Sequence, residues 1–159
     1  MPKLPADLEI RPMRRPEEAD LAADFIVTSE PWITLRRDKP TVMKVLLNPT
    51  REVYVPVTGG EIIGVLILHL DGVLNGYLQT VAVRKDWRCS GVGTRLIQFA
   101  EERIFSQSPN VFICVSSFNE HARRLYARLG YERVGEFKDY SVHGHHEYLL
   151  RKTKGPWQS

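Results

Sequence analysis

The sequence predicts a mixed α/β domain built on a sheet with helices packed against it. Three observations lead there. Runs of strand length rich in β-branched residues alternate with amphipathic segments whose apolar residues recur every three or four positions. The Pro and Gly residues fall between these segments rather than clustering into a linker. No internal repeat is visible, and 159 residues with 43% hydrophobic content match one domain over the whole chain, residues 1–159, since domains run to roughly 100–150 residues.

Taken in order, LEIRPM alternates as a strand does. Pro16, Glu17 and Glu18 then open a helix, proline and acids being suited to a first turn. SEPWITLRRDKPT is an irregular loop bearing an aromatic residue, followed by a short helix around Val42 to Leu47. EVYVPV and EIIGVLILHL are strands joined by TGG, whose glycines supply the positive φ of a hairpin turn. GYLQTVAV is the fourth strand. From Val92 the residues Leu96, Phe99, Ala100 and Ile104 give the period of a helix packed on a sheet. NVFICVS is a buried fifth strand. In FNEHARRLYARLGY, Asn119 is placed to cap a helix, Ala122, Leu125, Tyr126 and Leu129 form one face, and Gly130 ends it. Strands near Glu132 to Tyr140 and His145 to Leu150 close the chain. The expected total is seven strands and about four helices, in an α/β (mixed α+β) arrangement.

Composition narrows the function. With 22 basic and 19 acidic residues the net charge is +3, too mild for a dedicated nucleic-acid surface yet comfortable for an anionic ligand. Cys89 and Cys114 lie in different elements without metal-ligand spacing, so neither a disulfide framework nor a zinc site is expected. The N-terminal stretch has no signal-peptide core, and the apolar run from Ile62 is far shorter than the roughly 20 residues of a membrane span. The expectation is a cytoplasmic protein that engages neither membrane nor nucleic acid.

The chemistry concentrates in DWRCSGVGTRL, which places Arg88, Ser90, Gly91 and Gly93 in front of a helix. Unpaired N–H groups at a helix start attract phosphate. A dinucleotide fingerprint needs G-x-G-x-x-G, but the residue three after Gly93 is Leu96; a triphosphate loop needs a Gly-Lys-Ser/Thr ending that is absent. What remains is R-x-x-G-x-G.

VAVRKDWRCSGVGTRL resembles the acyl-CoA-binding motif of the GNAT superfamily of N-acyltransferases: a strand ending in A-V, a short loop, then [RQ]-x-x-G-x-[GA] opening a helix. VSSFNEHARRLYARLGYERVG is similar to the family's second signature, N-x-x-A-x-x-x-Y with a glycine-aromatic helix exit. The two stand in the expected order, and the resemblance extends over residues 8 to 151. It implies a GNAT-like fold: a central, twisted, mostly antiparallel seven-stranded sheet whose fourth and fifth strands splay apart. It implies acetyl-CoA as co-substrate, with no metal. The pyrophosphate would lie on the N–H groups of Cys89, Ser90, Gly91, Val92, Gly93 and Thr94, with Arg88 and the Thr94 hydroxyl as side-chain donors. The pantetheine arm would pair with Val81, Ala82 and Val83 at the open strand edge.

The same resemblance makes Tyr126 the acid that protonates the departing thiolate. Packing with Leu125 and Leu129 also accounts for a tyrosine at helical spacing, and the two roles are compatible because the ring packs while the hydroxyl stays polar. Asn119 reads first as a helix cap and second as a ligand contact. The Val81 N–H is the implied donor to the thioester carbonyl.

The general base departs from the pattern of ribosomal-protein N-terminal acetyltransferases. Their fifth-strand glutamate falls on Cys114, and the fourth strand offers Tyr77, Leu78 and Gln79. His69, Asp71, His143, His145 and Glu147 are lesser candidates. An α-amino group, with a reference pKa of about 7.7–8.0, needs less help than a lysine. The expected function is transfer of acetyl from acetyl-CoA to a primary amine, on a protein N-terminus or a small molecule, by direct attack in a ternary complex. The acceptor would enter beside EPWITLRRD, with Trp32 and Arg36 as wall residues. The alternative is a non-catalytic acyl-CoA-binding sensor module. A monomer or homodimer suits either.

Overall fold

The structure is a computed structural model that describes residues 3–158. Its elements run β1 (Glu9–Pro12), α1 (Ala19–Val27), α2 (Lys39–Leu46), β2 (Glu52–Thr58), β3 (Glu61–Ile62), β4 (Gly64–Asp71), β5 (Asn75–Val83), α3 (Val92–Phe105), β6 (Asn110–Ser116), α4 (Glu120–Arg128), β7 (Glu132–Phe137) and β8 (Glu147–Thr153). The sheet is ordered β1-β2-β4-β5-β6-β8-β7, with β3 paired to β2 alone. Every pairing is antiparallel except that of β5 with β6.

The seven expected strands become eight because the apolar run EIIGVLILHL breaks at Ile63. Its N–H donates to the Pro56 carbonyl at 2.9 Å and its carbonyl accepts from the Arg84 N–H at 2.7 Å, so it ties neighbouring chain segments across the break. Gly64 follows, and a Cβ there would stand 2.4 Å from the Ala82 carbonyl oxygen. The hairpin at Gly59 and Gly60 has φ of 55° and 77°, the turn that the glycines predict.

The helices start where caps allow. α1 opens at Ala19, three residues beyond Pro16, after a turn in which the Glu18 carboxylate accepts from the Arg14 N–H and the Arg11 guanidinium. α2 starts at Lys39, earlier than the apolar pattern indicates, because Asp38 accepts from the Thr41 N–H at 2.8 Å. The closing strands also shift. β7 stops at Phe137 and β8 begins at Glu147, because Asp139, at φ 48°, turns the chain and accepts from the Gly144 N–H at 2.9 Å.

Two apolar layers sandwich the sheet. On one face Ala19, Ala22, Ala23 and Ile26 of α1 and Val42 and Leu46 of α2 pack on Val53, Val55, Val65 and Ile67. On the other, Val92, Leu96, Ile97, Ala100 and Ile104 of α3 and Tyr126 of α4 pack on Leu66, Leu68, Leu78, Val111, Ile113, Val115 and Leu150. Among the described residues no helix is long and apolar enough to cross a membrane.

Candidate active site

The site is built around a gap in the sheet. β5 pairs with β4 along its length, from Asn75 opposite Asp71 to Val83 opposite Gly64, but meets β6 only at Tyr77 opposite Phe112. Beyond Tyr77 the two strands part, so Val81, Ala82 and Val83 sit where β5 has no ladder toward β6. The register with β4 steps from Ile67–Thr80 to Leu68–Leu78, leaving Gln79 as the extra residue of a bulge. Bulges re-aim the chain where pairing ends. A cleft of about 450 Å³ opens here, lined by Gln79, Thr80 and Val81 of β5, Ile113 to Ser116 of β6, and Asn119 and Tyr126.

The start of α3 forms the cradle beside it. Gly91 is at φ 94°, a conformation that a side chain would strain. Among the described residues, none accepts a backbone hydrogen bond from Cys89, Ser90, Gly91, Val92, Gly93 or Thr94. Gly93 has no such backbone demand: a Cβ there would approach only Val83 Cγ2, at 3.8 Å. Arg88 is turned inward, with Nε donating to the Val83 carbonyl at 3.1 Å and Nη2 to Ser29 Oγ at 2.9 Å. It therefore braces the cradle loop against β5 and the end of α1. The Ser90 hydroxyl donates to the Trp87 carbonyl, which leaves its backbone N–H as its free donor.

Tyr126 reaches the cleft from α4. Asn119 caps that helix, accepting from the Ala122 N–H at 3.3 Å. At the other end the Gly130 N–H donates to the Ala127 carbonyl and the Tyr131 N–H to the Tyr126 carbonyl, which closes the helix and sets Tyr131 edge-on to Tyr126 at 5.7 Å between ring centroids. The Tyr126 hydroxyl has no hydrogen-bond partner among the described residues, and burial pushes its pKa up. The hydroxyl is therefore uncharged and unpartnered on the cleft lining.

The opposite wall is built from the other face of β6. Strand alternation sends Ile113 and Val115 toward α3 and α4 and turns Cys114 and Ser116 the other way. Cys114 is half-buried, and burial raises its thiol pKa, so a thiolate is disfavoured. Tyr77 lines the same wall, whereas Leu78 is fully buried in the core. Gln79 accepts from Arg51 Nε at 2.7 Å.

Of the lesser candidates for a base, the structure brings His69 and Glu147 into the cleft. It does not bring Asp71, His143 or His145. Burial, and then the Arg51 charge, lower the His69 pKa. Trp32 is a wall residue, but Arg36 is not in the lining, where its equally exposed neighbour Arg37 stands. Glu30, Phe137 and Tyr140 complete that end. Glu30 and Arg37 belong to the stretch EPWITLRRD expected beside the acceptor, whereas Phe137 and Tyr140 were missed because they converge from a segment whose path follows no period. No group of three or more metal-ligating side chains occurs among the described residues.

Comparison with known proteins bears on the family and the fold. An uncharacterized N-acetyltransferase of Methanocaldococcus jannaschii is 31% identical over 103 residues, covering 64% of this chain and 65% of that protein. The N-alpha-acetyltransferase RimI of Mycobacterium tuberculosis is 26% identical over 141 residues, covering 86% of this chain and 85% of its own. Among solved structures, an aminoglycoside 6'-N-acetyltransferase complexed with coenzyme A superposes with a TM-score of 0.77 at 19% identity, over 95% of this chain and 99% of that one; at that identity the likeness speaks for the fold. The family model of the acetyltransferase (GNAT) family matches residues 13–131, and with that match the chain belongs to the GNAT acetyltransferase family.

Proposed function

We propose that the protein transfers an acetyl group from acetyl-CoA to a primary amine, on a protein N-terminus or a small molecule, by direct attack in a ternary complex. The observation that carries this reading is the pairing of an open strand edge with a helix-start cradle whose donors are unspent. A pyrophosphate suits the cradle, because six N–H groups and the positive end of α3 converge there. The pantetheine arm suits the edge of Val81 to Val83, where an extended chain completes a strand. That leads the thioester into the gap between β5 and β6. There the Val81 N–H is the donor for the thioester carbonyl, and Tyr126 supplies the proton to the leaving sulfur.

Arg88, held by Val83 and Ser29, acts in this reading by stiffening the loop, and Thr94 is left as the side-chain donor. The test is release of free thiol from acetyl-CoA in the presence of peptides with free N-termini, lysine, polyamines and aminoglycosides. Release above the hydrolysis background with one class is the expected result. Release with none of them overturns the reading.

A further inference from the structure

The cleft is lined from both faces of the sheet, and the chemistry of the two sides differs. Tyr126 approaches from the α3/α4 side, among Ile113, Val115 and Leu150. On the other side stands Glu147, only 6% exposed. It lies directly opposite Ser116 in the β6–β8 register, and its Oε1 accepts from Ser116 Oγ at 2.7 Å. Its Oε2 has no hydrogen-bond partner among the described residues, yet is not sealed from the cleft. A carboxylate so withdrawn from water, half satisfied and turned into a cavity needs a polar occupant.

We infer that Glu147 is the group that receives the acceptor: its carboxylate holds the incoming primary ammonium and takes one proton from it, so the site selects cationic amines that enter between Trp32 and Tyr140. This rests on the acetyltransferase reading and names its missing base. Burial raises the Glu147 pKa, while Ser116, Arg37 and His145 pull it down. The other groups facing it are Cys114 and Tyr77, both neutral, with Glu30 and His69 along the same wall. A raised carboxyl is a better match to proton transfer near neutral pH than an ordinary one.

The protons balance. The ammonium nitrogen loses one proton to Glu147, which passes it to solvent. The amine then attacks the acetyl carbon, the N–C bond forms and the C–S bond breaks. Tyr126 protonates the sulfur, and the second nitrogen proton restores Tyr126 through solvent.

The test compares the pH profiles of kcat/KM for wild type, Glu147→Gln, Ser116→Ala and His69→Gln, after wild-type turnover has been shown with the chosen amine. Glu147→Gln should lose about 100-fold or more in kcat/KM and lose the acidic limb, while coenzyme A affinity stays within about twofold. Ser116→Ala removes the donor that lowers the carboxyl, so its acidic limb should move to higher pH; this readout stands even if the glutamine variant folds poorly. A Glu147→Gln enzyme within threefold of wild type overturns the inference alone. So does an acidic limb that vanishes in His69→Gln but survives in Glu147→Gln, or one that Ser116→Ala leaves in place. A wild type silent toward every amine overturns the acetyltransferase reading itself.

Discussion

In the proposed reaction Tyr126 serves packing and chemistry with different atoms. Its ring is held edge-on by Tyr131, and its hydroxyl makes no bond that a phenylalanine would break. Tyr126→Phe should therefore leave the melting temperature and coenzyme A affinity nearly unchanged while kcat falls about 100-fold. Calorimetry paired with thiol release checks this, and equal losses in stability and rate would point to packing alone.

Gly93 makes the converse case. Nothing in the protein requires a glycine there, and glycine in a helix costs up to about 1 kcal/mol relative to alanine. Gly93→Ala should thus stabilise the free protein by a few tenths of a kcal/mol or more, with an upper bound of about 1 kcal/mol, and weaken coenzyme A binding by at least about tenfold. Denaturant unfolding and titration calorimetry together decide it; unaltered affinity would remove the glycine from the site. Both residues stand out in the sequence because they fall on the two motifs that carry the family resemblance. Glu147 was harder to see. Its value comes from Ser116, 31 residues away, and strand register has no signature in a short window.

At the scale of the element, side chains mark boundaries that periodicity alone misplaces. Glu18 illustrates this. Its carboxylate accepts from Arg11 Nη1 at 2.8 Å and Nη2 at 2.7 Å and from the Arg14 N–H at 2.6 Å. Both side chains are largely shielded from solvent, so the forked pair contributes about 1.5–3 kcal/mol, the range for hydrogen bonds to charged groups. The Arg11 hydrogen bond leads the causes that hold the Glu18 pKa below its ordinary value. A carboxyl with a depressed folded pKa stabilises the native state above its unfolded pKa, and that contribution disappears as pH falls through the folded value. Wild type should therefore lose melting temperature below about pH 4.5 more steeply than Glu18→Gln, the two curves converging in acid. Parallel curves down to pH 2 would remove Glu18 from the acid sensitivity.

The same pair stands at the entry to α1. Pro16 and the two acids mark a helix start correctly in kind, and the regular turns begin three residues after the proline, at Ala19. Asp38 acts at the start of α2, satisfying an early N–H and extending the helix toward its N-terminus.

Across the whole molecule the decisive feature is an incomplete sheet. Two apolar layers hold β4 and β5 from both faces, and one of them holds β6, so the strands can part beyond Tyr77 without loss of the core. A ligand that fills the gap should then act as a missing strand. Coenzyme A at about 100 times its dissociation constant should stabilise the fold by about 2.7 kcal/mol. Slowed amide exchange should concentrate in residues 79–83 and 89–94. Exchange slowed instead along β1 and β2 would place the ligand elsewhere.

The sequence alone determined the α/β order, the glycine-bearing start of α3, the cap at Asn119 and the place of Tyr126 on the packed face of α4. Each of these is a local matter of period, cap or turn, governed by residues within one or two turns of each other. Only the tertiary structure decided the division of EIIGVLILHL at Ile63, the inward turn of Arg88, the choice of Arg37 over Arg36 and the arrival of Glu147 beside Ser116. These depend on register and on loop convergence, where residues far apart in the chain meet because burial on the two faces of one sheet brings them there.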